Sequence, residues 1–336
     1  MPRISIAMCT YNAGRLVTEE LESWDRQTLP PFEVVVCDDA SRDETADYVR
    51  AFAKTASFPV RLIVNAANLG ESKNFEKAIG LCRGEVIALS DADDIHAAGY
   101  LERIAEVYRH EPDVGMIFTN FKVVDKRLKV LRDRAWELPH TLVKEVDEGR
   151  LFDHLLKFTI VSGATMSFRS SLVERVLPIP RSWHKDAWIA FIASAVTKAR
   201  FIDEPFLLYR QHDANSVGAR PVPLLENVRR ARRVGKQCFE LVLEHIDLAA
   251  ERLAKVEMSG SQAHVQKLRA KRRHFETRLR MRDEPWRRWY VAPKELLLGR
   301  YDRYGVGWRS FAQDLFLLRR EYESVGRHTT LWCERS

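Results

Sequence analysis

No apolar run in this 336-residue chain approaches the roughly 18 to 20 residues that a membrane-spanning helix needs. The sequence moves directly into strand-like residues with no basic-then-apolar leader, so a cytosolic protein is expected. Its five cysteines, Cys9, Cys37, Cys82, Cys238 and Cys333, are odd in number, scattered, and form no CxxC. That pattern argues against a disulfide framework or a zinc site and fits a reducing compartment. The first strand-to-helix turn contains only Gly14 and lacks GxGxxG, and there is no GxxxxGK[ST] loop and no GxSxG elbow. Dinucleotide clamps, P-loop NTPases and the common serine hydrolases are thereby disfavoured. Internal repeats and low-complexity runs are also missing.

What is present is a soluble, globular composition, 46% hydrophobic and 30% charged, long enough for about two domains. The net charge of +7 is unevenly spread: residues 1–220 carry 29 Lys/Arg and 32 Asp/Glu, whereas residues 221–336 carry 25 and 15, a net of +10. Two regions are expected, residues 1–220 and a helical, basic region over 221–336. The basic region suits an acidic surface, either anionic lipid or nucleic acid.

The first 125 residues alternate β-branched runs with helix-patterned stretches, the signature of βα units around a mostly parallel sheet flanked by helices. Strands are expected at Arg3 to Cys9, Glu33 to Cys37, Val60 to Val64, Val86 to Ser90 and Val114 to Phe118. Ser41 and Glu44 have the spacing of a capping box ahead of a second helix, and a helix is expected near Ala97. Further on, Ile160 to Phe168 and Phe201 to Tyr209 are strand-like, with a helix through Trp188 to Val196. In the segment from Pro285 to Leu318 aromatics and leucines alternate with arginines. This suits either an amphipathic helix at a membrane interface, or a helix packed inward with Trp as core and Arg as solvated rim.

The most informative stretch is Val86-Ile-Ala-Leu-Ser-Asp91-Ala-Asp93-Asp94, an apolar run ending in three carboxylates within four residues. Like charges this close repel, and burial penalises each. In a strand Asp91 and Asp93 share a face, so both can reach one hard cation through oxygen, as Mg²⁺ or Mn²⁺ prefers. The plainer reading is that Asp93 or Asp94 caps the next helix. Ligands of an open α/β sheet bind at the carboxyl ends of its strands. Every such position here is polar: Thr10-Tyr-Asn12, Asp38-Asp39-Ala-Ser-Arg-Asp43, Asn65 with Asn68-Leu-Gly70, and the Asp91 cluster.

These segments in this order resemble glycosyltransferase family 2 with the GT-A fold: Ile4 to Asn12, Val34 to Thr45, Asn68 to Phe75, and Asp91-Ala-Asp93-Asp94. Within the family the chain is most similar to the rhamnosyltransferase-like branch, through Val161 to Phe168, His184-Lys-Asp-Ala-Trp-Ile189 and Asp203 to His212. The match covers roughly residues 3–220. The fold so implied is a GT-A-type nucleotide-binding sandwich with a helical C-terminal extension.

The resemblance implies that Thr10, Asn12, Asp38, Asp39, Asn68 and Asp91 line the nucleotide pocket, with Asp39 accepting from the ring N–H of a uracil or thymine. Asp91 and Asp93 would form the DxD pair on a divalent metal, Asp93 most directly, and His212 is a further metal ligand of the set. Ser162, Gly163 and Arg210 would contact the donor sugar and diphosphate, and Asp186 would be the catalytic base of an inverting transfer. Relatives often carry a second acid or a His before this aspartate, where this chain has Lys185, whose ammonium would weaken the base unless it points to solvent. The implied partners are a dTDP- or UDP-linked sugar, with rhamnose the branch expectation, and a glycan or lipid-linked acceptor of surface polysaccharide synthesis. The C-terminal region would contact the inner face of the plasma membrane, nucleic acid being disfavoured. A sugar-phosphate nucleotidyltransferase and a silent nucleotide-sugar-binding module are the alternatives. The first lacks its glycine-rich loop, and the second has no reason to hold Asp91, Asp93 and Asp186 together.

Overall fold

The structure, a computed structural model, describes residues 1–211, 236–256 and 261–316. It divides into two compact units, residues 1–151 with 161–219, and residues 152–160 with 220–336. In chain order the elements are β1 (Ile4–Thr10), α1 (Leu16–Asp25), β2 (Glu33–Asp38), α2 (Thr45–Ala53), β3 (Val60–Val64), α3 (Glu71–Leu81), β4 (Val86–Asp91), β5 (Ile95–His96), α4 (Tyr100–His110), β6 (Val114–Asp125), β7 (Val130–Arg132), α5 (His140–Asp147), α6 (Leu151–Leu155), β8 (Met166–Arg169), α7 (Val173–Val176), α8 (Lys185–Val196) and β9 (Lys198–Gln211). The second unit continues with α9 (Lys236–Ala254), α10 (Ser261–Asp283), α11 (Arg288–Leu297), α12 (Arg300–Tyr304) and α13 (Trp308–Phe316).

The first unit is a mixed nine-stranded sheet in the order β3-β2-β1-β4-β8-β6-β9-β5, with β7 paired to β6. Strands β3, β2, β1 and β4 are parallel. Buried on both faces, β2 and β4 read as near-continuous apolar runs, as such strands must. Ser5, polar within β1, is satisfied by donating to Glu33 Oε1 at 2.9 Å and accepting from the Gly84 N–H at 2.8 Å. Helix α4 places Leu101, Ile104, Ala105 and Tyr108 at helical spacing on its buried face. The register sets the site: Cys9 pairs with both Cys37 and Asp91, and Thr10 pairs with Asp38. Three strand ends therefore lie level.

Local details depart from the sequence reading. The capping box does not form, because Ser41 Oγ donates to Asp38 Oδ2 at 2.5 Å while Asp43 Oδ1 accepts from the Thr45 N–H at 3.1 Å; α2 accordingly begins at Thr45. The strand expected from Ile160 shrinks to Met166–Arg169. Before it the Ser162 carbonyl accepts from Thr165 N–H and Oγ1, closing a 3₁₀ turn at Gly163–Thr165. Strand β6 runs seven residues past its expected end, to Asp125, because β9 pairs with it along most of its length. The helix expected near Ala97 begins at Tyr100.

The second unit is helical, and its interior is polar in an unusual way. Arg278, buried, donates to both Asp314 oxygens at 2.6 and 3.1 Å and lies over the rings of Phe239 and Phe275. His274 Nδ1 and Glu295 Oε2 are 2.6 Å apart, and Arg300 donates to the other Glu295 oxygen at 2.6 Å. Cys9, Cys37 and Cys82 are free thiols. Among the described residues no helix is long and apolar enough to cross a membrane.

Burial foremost, aided by the nearby Arg278 charge, holds His274 below its ordinary 6.5 against the opposing pull of Glu295. Burial pushes the Glu295 carboxyl up, but its bonds to His274 and Arg300 outweigh this and hold it below its ordinary value. Both groups bind protons more readily when unfolded, so both favour the fold less as pH falls. The midpoint of thermal unfolding is expected to drop between about pH 7.5 and pH 5.5 more steeply than in a His274→Gln variant, since the His274 contribution is lost below about 6.5. Parallel pH profiles for the two proteins would contradict this.

Candidate active site at the strand ends

Thr10 Oγ1 donates to Asp38 Oδ2 at 2.8 Å, and Ser41 donates to both Asp38 oxygens, from its N–H at 2.9 Å and from Oγ. Asp38 is fully buried, so its carboxylate ties the ends of β1 and β2 together. Asn12, at φ +48°, accepts from the Arg42 N–H through Oδ1 at 2.9 Å, and its own N–H donates to Ser41 Oγ at 2.9 Å. Asp39 is held from the other side. Its Oδ1 accepts from Asn65 Nδ2 at 2.9 Å and the Leu69 N–H at 2.7 Å, and its Oδ2 from the Gly70 N–H at 2.9 Å. A carboxylate offers about four lone-pair sites, so one site remains for a ligand N–H. Asn68 Nδ2 reaches the Asp39 carbonyl at 3.3 Å. Gly70 has φ +84°, a left-handed conformation that glycine adopts without strain. The Asn68-Leu-Gly motif thus serves to wrap Asp39.

Asp91 ends β4 beside Asp93 and Asp94. Burial foremost pushes its carboxyl up to about 6, with Lys185 pulling it back and Glu71 and Asp93 pushing further up. Asp94 is buried and held well above the carboxylate range by burial and then by Asp93 and Asp91. Its Oδ1 accepts from the Arg210 N–H at 3.1 Å, while its Oδ2 has no hydrogen-bond partner among the described residues. Arg210 is buried; its Nε donates to the Asp93 carbonyl at 3.0 Å and its Nη2 to Glu19 Oε2 at 2.6 Å. The last strand thereby braces the acidic turn. Crowded carboxylates with raised proton affinity fit a cation. Among the described residues no group of three or more His, Cys, Asp or Glu side chains is arranged to hold a metal. Asp91 and Asp93 are the two carboxylates of the turn that the sequence reading assigned to a divalent ion completing its shell with phosphate and water. His212 lies outside the described residues.

Asp186 sits in the first turn of α8, with Oδ2 accepting from the Gly163 N–H at 3.3 Å and Oδ1 from the Ala187 N–H at 2.9 Å. Ser162 precedes this contact as the residue whose carbonyl closes the 3₁₀ turn. Lys185 does not point to solvent: its side chain is 5% exposed, its ammonium bonded to Glu71 and 3.2 Å from Asp91 Oδ1, over the Phe75 ring at 4.3 Å. These carboxylates, with Asp186, raise its pKa well above normal although burial alone would lower it. A Cβ at Gly163 would lie 3.0 Å from Lys185 Cε and 3.3 Å from Asp186 Cβ. Glycine is what lets the 3₁₀ turn at Gly163–Thr165 and the start of α8 approach.

Sequence reasoning missed three contributors. Glu71 opens α3 within the Asn68 to Phe75 motif and bridges to Lys185. Glu19 anchors Arg210. Glu20, fully buried, accepts from Ser90 Oγ at 2.6 Å and sits 2.8 Å from His96 Nδ1, whose other ring nitrogen is 3.0 Å from the Ala164 carbonyl. Two acids in α1 were visible, but nothing local distinguishes them from a solvated helix face.

A sequence model of the family described as "Glycosyl transferase family 2" matches residues 5–177. An uncharacterized glycosyltransferase of Nostoc sp. is 27% identical over 217 residues, 64% of this chain and 66% of that protein; the chain spans just under two thirds of this relative. The poly(ribitol-phosphate) beta-N-acetylglucosaminyltransferase TarS of Staphylococcus aureus is 28% identical over 179 residues, 52% of this chain and 29% of its own length. The crystal structure of TarS 1–349 in complex with UDP-GlcNAc superposes with a TM-score of 0.57 at 20% identity, covering 82% of this chain and 73% of that one. The mannosyltransferase PcManGT of Pyrobaculum calidifontis, in complex with GDP-Man and Mn²⁺, does so with 0.51 at 22%, covering 81% and 69%. The fold is thus the GT-A type.

Proposed function

The chain belongs to glycosyl transferase family 2, and from that premise we propose that it moves a sugar from a nucleoside-diphosphate sugar to a hydroxyl of a glycan or lipid-linked glycan, by single displacement with inversion. The observation that carries the reading is the convergence of Asp186 and its neighbour Lys185, Gly163 and Asp91 from three segments distant in sequence. It joins a base candidate to a diphosphate-facing acidic turn. Asp186 takes the proton of the acceptor hydroxyl as that oxygen bonds to the anomeric carbon. The bond to the diphosphate oxygen breaks with its electron pair leaving on the nucleoside diphosphate. Asp91 and Asp93 would hold a divalent metal, Mg²⁺ or Mn²⁺, which when bound would neutralise the charge that grows on the diphosphate.

Asp39, with its remaining acceptor site, selects a pyrimidine imide N–H, so the donor is UDP- or dTDP-linked; rhamnose follows from the branch resemblance. Thr10, Asn12, Asp38 and Asn68 hold the loops that present Asp39. Arg210 acts by fixing the Asp93 carbonyl, and Ser162 with Gly163 leaves room for the sugar. The acceptor belongs to surface polysaccharide synthesis at the cytosolic face of a membrane. The test is release of free UDP or dTDP from a panel of pyrimidine diphosphate sugars with Mn²⁺. Release is expected, and it should fall by roughly 10²-fold with Asp93→Ala, comparable to loss of one preorganised electrostatic contact. Release indifferent to EDTA and to Asp93→Ala, or none from any donor, overturns the reading.

A further inference from the structure

In the second unit, of the two arrangements the sequence allowed, the tryptophan core with arginine rim is not the one found. Arg278 is buried on Asp314, and Glu295 is buried between His274 and Arg300. Trp286, Trp289, Tyr290 and Leu297 are 63%, 59%, 51% and 89% exposed. At about 3.6 residues per turn, positions 286, 289, 290, 293 and 297 fall on one face of α11 and the 3₁₀ turn that leads into it. Ala292 and Glu295, its buried residues, fall on the other. The stripe is ordered rather than incidental: the Trp286 and Tyr290 rings stand 5.7 Å apart, and the Arg287 and Arg288 guanidiniums lie over Trp286 and Trp289 at 5.5 and 5.2 Å. Lys294, exposed, flanks it, and Trp308 with Arg309 is exposed on the next helix but one. Scattered exposed apolar residues are ordinary, whereas an aromatic stripe backed by buried charge is not.

We propose that α11 is an interfacial anchor, laying its Trp286/Trp289/Tyr290/Leu297 face into the headgroup boundary of an anionic lipid bilayer with Arg287, Arg288 and Lys294 at the phosphates. Trp and Tyr rings favour that boundary, and flanking Lys and Arg add attraction to anionic lipid. Charge selects lipid over a second copy of the chain. A two-fold contact through this face would set Arg287, Arg288 and Lys294 against their own counterparts. The net +10 of residues 221–336 points the same way. The proposal does not depend on the sugar-transfer reading, and its test measures no turnover.

The test is co-sedimentation of the full chain with vesicles of phosphatidylglycerol and phosphatidylcholine, beside vesicles of phosphatidylcholine alone. Binding to the anionic vesicles is expected, weakened by salt. A W286S/W289S/L297S variant with an unchanged circular dichroism spectrum should bind about tenfold less or weaker still. Should that variant not fold, Leu297→Glu places a charge on the stripe at its most exposed position and is expected to reduce binding in the same assay. Absence of vesicle binding, equal binding to neutral vesicles, undiminished binding by the folded variants, or a dimer that the substitutions dissolve would each overturn the proposal.

Discussion

Asp186→Asn is expected to lower turnover by roughly 10²- to 10⁴-fold, the range a positioned general base contributes, while donor-induced stabilisation persists. Asparagine keeps the size and one acceptor oxygen for the Gly163 N–H, giving up only the local bond from the Ala187 N–H, so the contact between the 3₁₀ turn and α8 persists. It cannot take a proton. If Asp186 served only as a helix N-terminal acid, the substitution would cost at most about 1 kcal/mol of stability through the helix dipole and leave turnover intact. Steady-state kinetics with saturating donor, together with unfolding midpoints for both proteins, separate the two cases. A variant with full turnover would remove Asp186 from the mechanism.

Trp24→Ala is expected to destabilise the first unit by about 3–5 kcal/mol, as emptying a fully buried tryptophan site does. Trp24 is fully buried, its Nε1 donates to Ser90 Oγ at 3.3 Å, and its ring lies 4.2 Å from that of His96. Ser90 and His96 both contact the buried Glu20 carboxylate, and His96 also reaches the Ala164 carbonyl, next to the glycine that positions Asp186. Removing the indole leaves a cavity beside a buried acid and loosens the turn that bears Gly163. For a unit of this size the unfolding midpoint should fall by about 6–20 °C. Urea titration checks it, and a change under about 1 kcal/mol would show that the site collapses around the smaller side chain.

Much of the first unit was legible because strands buried on both faces leave apolar runs whose polar ends stand out. Asp91 and Thr10 were visible for that reason, and the register that levels them follows from pairing parallel strands. What was not legible depends on partners far apart in the chain. Lys185 read as a threat to the neighbouring base, yet its ammonium goes to Glu71 and Asp91, 114 residues away in the first case. Glu20 and His96 lie 76 residues apart, and nothing local in the sequence links them. In the second unit composition allowed either rings at an interface or Trp inward with Arg outward. The burial of Arg278 on Asp314 turns on an ion pair that no periodicity announces. The Ser41 capping box failed for a local reason: Asp38, three residues earlier, takes the same hydroxyl.

The central claim, a metal-assisted pyrimidine nucleotide-sugar site at these strand ends, is tested most directly by thermal unfolding of the purified chain against UDP-, dTDP-, GDP- and CMP-sugars, each with Mn²⁺ or EDTA. Stabilisation by a UDP- or dTDP-sugar, lost with EDTA and with either Asp93→Ala or Asp39→Ala, is the predicted result. Equal response to all four nucleotides, or a midpoint that no donor shifts in a folded protein, would contradict it.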